Sequence, residues 1–144
     1  MKLRIRGDSI RLRLSRSEVE QLAKSGAVSE SIRFGPASEL EYAVVASADV
    51  SGPRASFAGC RITVALPQKS IAEWRASNEV SLRAEQALAS EGKLSILVEK
   101  DFPCLVPRAG EDDSDAFPRT GDAVACSSDP CASDPCASDP CSPD

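Results

Sequence analysis

The sequence predicts an α+β domain, built as an antiparallel sheet or partly open barrel of about six to eight strands with two short helices. Runs in which apolar and polar residues alternate recur along the chain, and this period is typical of half-buried strands. Turn residues separate neighbouring runs by a few positions, which favours hairpins. Helical periodicity occurs in only two stretches, whereas a parallel doubly wound sheet needs a helix between nearly every pair of strands.

Residues 1–14 form the first predicted hairpin. Apolar and basic residues alternate on both sides of the turn signal Gly7-Asp8-Ser9, so the two strands have one aliphatic and one cationic face. The aliphatic face comprises Leu3, Ile5, Ile10, Leu12 and Leu14. The cationic face comprises Lys2, Arg4, Arg6, Arg11 and Arg13.

A short helix is predicted next, from Arg16 to Ser25. Ser15 followed three residues later by Glu18 matches a capping box, in which each side chain bonds a backbone N–H of the other residue. Gly26 stands where a left-handed residue commonly ends a helix.

Further strands are predicted at residues 29–34, 39–48, 54–66, 80–84 and 93–102. Within the third of these the inward register changes, which indicates a bulge or tight turn at Ala58-Gly59. Cys60 then shares the inward side with Ile62, so we expect an inert buried thiol. Pro67 begins a second helical segment, in which Trp74 is expected to anchor the core.

The distribution of charge divides the chain into a domain at residues 1–109 and a tail at residues 110–144. Residues 1–110 carry a net charge of +3 and residues 111–144 a net charge of -8. The tail ends in a five-residue Cys/Asp/Pro repeat without large apolar side chains, so we expect disorder. Within it, Phe117-Pro118 can dock on the domain, and the acidic residues can fold over the cationic face.

Composition excludes several classes of function. The chain contains no histidine, which removes imidazole bases and His-containing zinc sites. Because it also lacks a glycine-rich phosphate loop, we assign no catalytic residue and no cofactor. No membrane span or secretory signal is evident, so we expect a cytoplasmic protein with reduced cysteines. A domain charge of +3 is too weak to indicate nucleic acid by itself, so we do not expect it as the partner.

Four stretches resemble a family of uncharacterised bacterial proteins that open with an MKIRIKGNSIRLRL-like hairpin. They are MKLRIRGDSIRLRLSRSEVEQL at the start, SIRFG at 31–35, LVEKDFPCL at 97–105 and EDDSDAFPR at 111–119. The resemblance covers about residues 1–120, and the cysteine repeat departs from it. Since the family carries no known activity, the resemblance implies no catalytic residue.

The cationic face is the main candidate site, because arginine binds carboxylates and phosphates through a planar fork. Outward acids that could neutralise it are Glu39, Glu41, Glu85 and Glu99. We therefore expect a non-catalytic binding module for an unknown anionic ligand or acidic protein surface.

Two alternatives remain open. If the sheet closes, the charged face would line a tunnel, as in metal-dependent triphosphate-tunnel hydrolases, although the Glu-x-Glu-x-Lys signature of those enzymes is absent. The tail cysteines could instead bind zinc or copper(I) as thiolates. These candidate metal ligands are Cys126, Cys131, Cys136 and Cys141, whose spacing exceeds the about two to four residues usual in structural zinc sites.

Overall fold

Strands and helices follow one another in an order that occurs twice. The computed structural model describes residues 1–89, 91–103 and 114–118. The first half contains β1 (Lys2–Ile5), β2 (Ser9–Leu14), α1 (Arg16–Ser25), β3 (Ala27–Gly35) and β4 (Ser38–Ser47). The second half contains β5 (Arg54–Ala58), β6 (Arg61–Pro67), α2 (Gln68–Ala76), β7 (Ser81–Ala87) and β8 (Lys93–Lys100). These eight strands and two short helices confirm the α+β class.

The strands form two mixed four-stranded sheets, and each sheet takes one hairpin from each half of the chain. The first sheet has the order β1-β2-β8-β7 and the second the order β3-β4-β6-β5. Every hairpin is antiparallel, whereas the central pairs β2–β8 and β4–β6 are parallel. The sheets therefore differ from the single antiparallel sheet that the hairpin signals suggested. Exchanging the two halves converts one strand order into the other, which gives the fold an internal two-fold pattern.

The two sheets do not close into a barrel, but polar side chains connect them at both pairs of edges. Gln86 of β7 accepts a hydrogen bond from the Ala55 N–H at 2.9 Å and donates to the Ala55 carbonyl at 3.0 Å. On the opposite side, the α-ammonium group of Met1 donates to Glu30 of β3. The helices follow the strand ends opposite the hairpin turns, where both contact β4 and each other.

One aliphatic core lies between the inner faces of the sheets and the two helices. Leu12 and Leu14 are fully buried, as predicted, and Trp74 is a core residue with no exposed surface. Ile5 differs from the predicted pattern, because it lies at the tip of the first hairpin beyond the core and is 56% exposed. The other central members of the core are Val19, Leu22, Val44, Val64, Leu66, Ile71, Ile96 and Val98.

Helix α1 has the predicted bounds and the predicted caps. The Ser15 hydroxyl accepts a hydrogen bond from the Glu18 N–H, and the Glu18 carboxylate accepts one from the Ser15 N–H. Gly26 ends the helix at a φ of 77°, in the left-handed region that glycine adopts most readily. The local signals at both ends of this helix are therefore sufficient to define it.

The register change in the third predicted strand is a two-residue hairpin turn rather than a bulge. Gly59 and Cys60 connect β5 to β6 with φ values of 56° and 59°, as a type I′ turn requires. The prediction of a buried Cys60 is wrong, because the thiol lies at this turn and is exposed. Alternation could not reveal this, since the turn reverses the chain between Phe57 and Ile62.

Replacing Cys60 by glycine should stabilise the protein. The left-handed conformation is strained for cysteine, and glycine adopts it freely, so we expect Cys60→Gly to raise the free energy of unfolding by about 0.5–1 kcal/mol. Urea denaturation measures the change. Thr63→Gly, within strand β6, should destabilise in contrast, and a loss of stability in Cys60→Gly would contradict the turn.

Candidate functional site

The candidate site is the outer face of the first sheet, where the first hairpin presents its basic residues. Pairing of β1 with β2 sets Lys2 opposite Arg13 and Arg4 opposite Arg11. Their neighbours along the strands, Leu12 and Leu14, point into the core and are fully buried. The strand period therefore directs the basic side chains away from the core.

Glu99 of β8 resolves the repulsion between two of these arginines. Its Oε1 atom accepts a hydrogen bond of 2.8 Å from the Nε of Arg11 and another of 2.8 Å from the Nε of Arg13. The parallel pairing of β8 with β2 places Glu99 opposite Arg13, and only 11% of its side chain is exposed. One carboxylate thus orients two guanidinium groups.

The other three acids proposed as partners face other residues, although Glu85 of β7 shares the outer face of the first sheet. Glu85 pairs with Lys93 at 2.7 Å, and Glu41 of the second sheet lies 3.4 Å from Arg61. Glu39 stands opposite Arg33 in the β3–β4 register. Alternation identifies all four acids as outward residues but does not indicate which strand lies beside β2.

Asp101 is a further acidic residue at this face that sequence reasoning missed. Its Oδ2 atom accepts from the Lys2 ammonium group at 2.9 Å. The residue is 7% exposed, and its Oδ1 atom has no hydrogen-bond partner among the described residues. Asp101 lies within the predicted last strand, near its end, but nothing in the sequence pairs that end with the N-terminus.

Arg83 of β7 extends the cationic face beyond the predicted residues. The strand registers align Arg4, Arg11, Leu97 and Arg83 in one row across the four strands of the sheet. Arg4, Arg6 and Arg83 are exposed. Adjacent strands are about 4.8 Å apart, so Arg83 lies about 10 Å from Arg11. Alternation showed that Arg83 points outward, but only the long-range pairing places it in this row.

This arrangement does not provide the charged interior of a tunnel hydrolase. The space between the sheets is filled by aliphatic side chains, including Leu12, Val64 and Val98 without exposed surface. Glu39 and Glu41 lie on the second sheet, whereas the arginine row lies on the first. The pair of alternating acids is therefore on a different sheet from the arginine row.

A second cluster of charges surrounds the α-ammonium group of Met1, which contacts the carboxylates of Glu18 and Glu30. Burial opposes the charge, but the hydrogen bonds to both glutamates outweigh it and raise the pKa of the amine above 8.0. Burial together with a 2.6 Å hydrogen bond to Glu30 raises the pKa of Tyr42 to about 12. Sequence reasoning assigned Glu18 to the helix cap and missed the cluster.

The cysteine repeat contains the four predicted candidate metal ligands. Cys126, Cys131, Cys136 and Cys141 lie outside the described residues. Within residues 1–89, 91–103 and 114–118, no group of three His, Cys, Asp or Glu residues is arranged to hold a metal ion. Among the same residues, no helix has the length and apolar character that crossing a bilayer requires.

The fold and its surface define a small α+β protein of two ββαββ halves, with a row of arginines on the outside of one sheet. The chain belongs to a family of unknown function, DUF7009, whose model matches residues 1–121. This match confirms the resemblance to an uncharacterised family. Neither a curated protein nor a solved structure matches the chain significantly.

Proposed function

We propose that the protein is a non-catalytic binding module that holds an anionic group of a partner on the outer face of the first sheet. The observation that carries the proposal is the row of Arg4, Arg11 and Arg83 across the sheet. A guanidinium group has five N–H donors, so Arg11 retains donors after it has bonded Glu99. Carboxylates and phosphates both accept such paired donors.

Glu99 and Asp101 support this function by holding the basic side chains in place. Arg11 and Arg13 share one buried oxygen atom, which limits their rotamers before any ligand arrives. Binding then costs less side-chain entropy than it would with freely moving arginines. The five basic residues of the hairpin and Arg83 outnumber the carboxylates of Glu85, Glu99 and Asp101, and Glu85 is already paired with Lys93, so a favourable potential for an anion remains.

The partner that this surface suits is an acidic protein surface. The row lies on an open sheet face, and such a face can contact several carboxylates of one partner at once. We place the protein in the cytoplasm, where the exposed thiol of Cys60 would stay reduced.

Isothermal titration with tripolyphosphate, as a simple polyanion, tests the proposal. Arg4→Ala combined with Arg83→Ala should weaken binding by about tenfold or more, because each lost charge contributes about 1 kcal/mol. The matched control replaces Arg33 and Arg54, two exposed arginines of the second sheet, and keeps the same net charge. Raising the salt from about 20 mM to about 150 mM should weaken wild-type binding through screening.

Equal affinity in the two double variants would contradict the proposed face. The experiment should include a chain that ends at Pro118, which lacks the acidic residues of the cysteine repeat. Tighter binding by that chain supports competition by the tail for the same arginines. The end point is Pro118 because Asp115 and Phe117 make contacts with the domain.

A further inference from the structure

The segment Ser114–Pro118 packs against the start of α1 and the residues around the end of β8, and we call the surface that it covers the groove. The backbone of the segment accepts a hydrogen bond from Arg16 through the carbonyl of Asp115 at 2.9 Å. The N–H of Phe117 donates to the carbonyl of Asp101 at 2.7 Å. The predicted docking of Phe117 on the domain is thereby confirmed, and we call this segment the strap.

The first half of the groove recognises the acidic residue of the strap. Both carboxylate oxygens of Asp115 lie 3.2 Å from the N–H of Ser17, in the first turn of α1. Hydrogen bonds from the hydroxyls of Ser15 and Ser17 lower the pKa of Asp115. The N-terminus of a helix favours a negative charge, and the capping box leaves the amides of Arg16 and Ser17 for the strap.

The second half of the groove recognises the aromatic residue. The ring of Phe117 lies 6.2 Å from the ring of Phe102, centroid to centroid. The ammonium group of Lys100 lies 5.3 Å from the centre of the Phe117 ring and 5.7 Å from that of Trp74. Lys100 is therefore a buried cation between two aromatic faces. The cation–π interaction is strongest at sites from which water is excluded.

Lys100 also has a fixed position in this groove. The residue is 5% exposed, and its ammonium group donates to the carbonyl of Ser77 at 2.6 Å. Burial lowers its pKa. A buried cation is costly without partners, and the Phe117 ring is one partner of Lys100 beside the Ser77 carbonyl and the charge of Glu79. The groove therefore combines a fixed cation with the amides of Arg16 and Ser17, which the capping box does not use.

We infer that this groove is a receptor for short peptide segments of the form Asp-x-Phe, and that the chain's own residues 115–117 occupy it in cis. The groups that contact Asp115 and Phe117 lie at Ser15 and the first turn of α1 and at residues 100–102, around the end of β8. An acidic–aromatic segment of another protein can therefore make the same contacts when the strap leaves. The site is distinct from the arginine row of the first sheet.

The test uses the full chain with Asp115→Ala and Phe117→Ala, which weakens the strap and retains the groove. The probe is a fluorescein-labelled peptide with the sequence of residues 112–120, and binding is measured by fluorescence anisotropy. The double variant should bind this peptide about tenfold more tightly than the wild type, in which the strap competes at high effective concentration. A peptide with Asn and Ala at the positions of Asp115 and Phe117 serves as the control.

Equal binding of the peptide by the double variant and the wild type overturns the inference, as does equal binding of the control peptide. Hydrogen exchange of the wild-type chain provides a second measurement that does not depend on a variant. The amides of Arg16, Ser17 and Phe117 should exchange together, and faster than the amide of Val19, because the strap opens as one unit. Protection of all four amides at the level of Val28 in the core would overturn the inference.

Discussion

Replacing Trp74 by alanine should lower the free energy of unfolding by about 3–5 kcal/mol, the largest effect of any single substitution considered. The side chain has no exposed surface, and it packs at the contact between α2 and the inner faces of the sheets. Removing the indole leaves a cavity that the surrounding strands cannot fill. The substitution also removes one of the two aromatic rings beside Lys100. Guanidinium denaturation measures the loss, which should appear as a lower midpoint at an unchanged slope.

Trp74→Phe is the matched control for this prediction. Phenylalanine retains an aromatic face for Lys100 and removes the indole N–H, which has no hydrogen-bond partner among the described residues. Removing this unsatisfied buried donor offsets part of the stability lost with the packing contacts. The free energy of unfolding should therefore fall much less in Trp74→Phe than in Trp74→Ala. A loss of less than about 1 kcal/mol in Trp74→Ala would mean that this residue is not the anchor of the core.

Adding a Gly-Ser dipeptide ahead of Met1 should lower the free energy of unfolding by about 2 kcal/mol at neutral pH. The addition turns the α-ammonium group into a neutral amide, which leaves the carboxylates of Glu18 and Glu30 facing each other without the cation between them. Because the amine also connects β1 to β3, the edge between the two sheets should loosen. Chemical denaturation of the two chains gives the difference.

The same cluster predicts how stability depends on pH. The pKa of the Met1 amine is raised above 8.0 by folding, so its contribution is complete below pH 8 and is lost as the pH rises through the folded value. Burial opposes the ionised form of Glu30, but hydrogen bonds from the ammonium group and Tyr42 lower its pKa below 4.5. Its contribution is therefore present above pH 4.5 and is lost as the pH falls through the folded value.

The pH profile also provides the control for the dipeptide experiment. The raised pKa of Tyr42, about 12 instead of 10.0, predicts a further loss of stability between those values in both chains. The loss that begins near pH 8 should occur only in the chain in which the Met1 nitrogen is an amine held by Glu18 and Glu30. Parallel stability curves for the two chains across this range would show that the ammonium group does not stabilise the fold.

Local chemistry is sufficient to predict α1 and the first hairpin. Ser15, Glu18 and Gly26 lie within a few residues of the helix ends they define, and the structure has the predicted bounds. The alternation of residues 1–14 likewise assigns each side chain to the correct face, with Ile5 beyond the core at the hairpin tip. These features depend on interactions between residues close together in the sequence.

The pairing of β2 with β8 depends on residues far apart in the sequence and could not be predicted in this way. It joins Arg13 to Glu99, and it brings Arg83 into the row that starts at Arg4. Alternation along the predicted last strand, residues 93–102, places Lys100 on the inner side. A lysine is not expected in a core unless its partners are known, and one of them, Phe117, follows beyond the end of β8.

The most direct test of the binding face is NMR of the arginine Nε–H groups during titration with tripolyphosphate. We expect shifts of the Arg4, Arg11 and Arg83 resonances that saturate together, while those of Arg33 and Arg54 on the second sheet stay unchanged. Shifts of similar size at all five arginines, or none at Arg4 and Arg83, would contradict the central claim that the outer face of the first sheet is the binding surface.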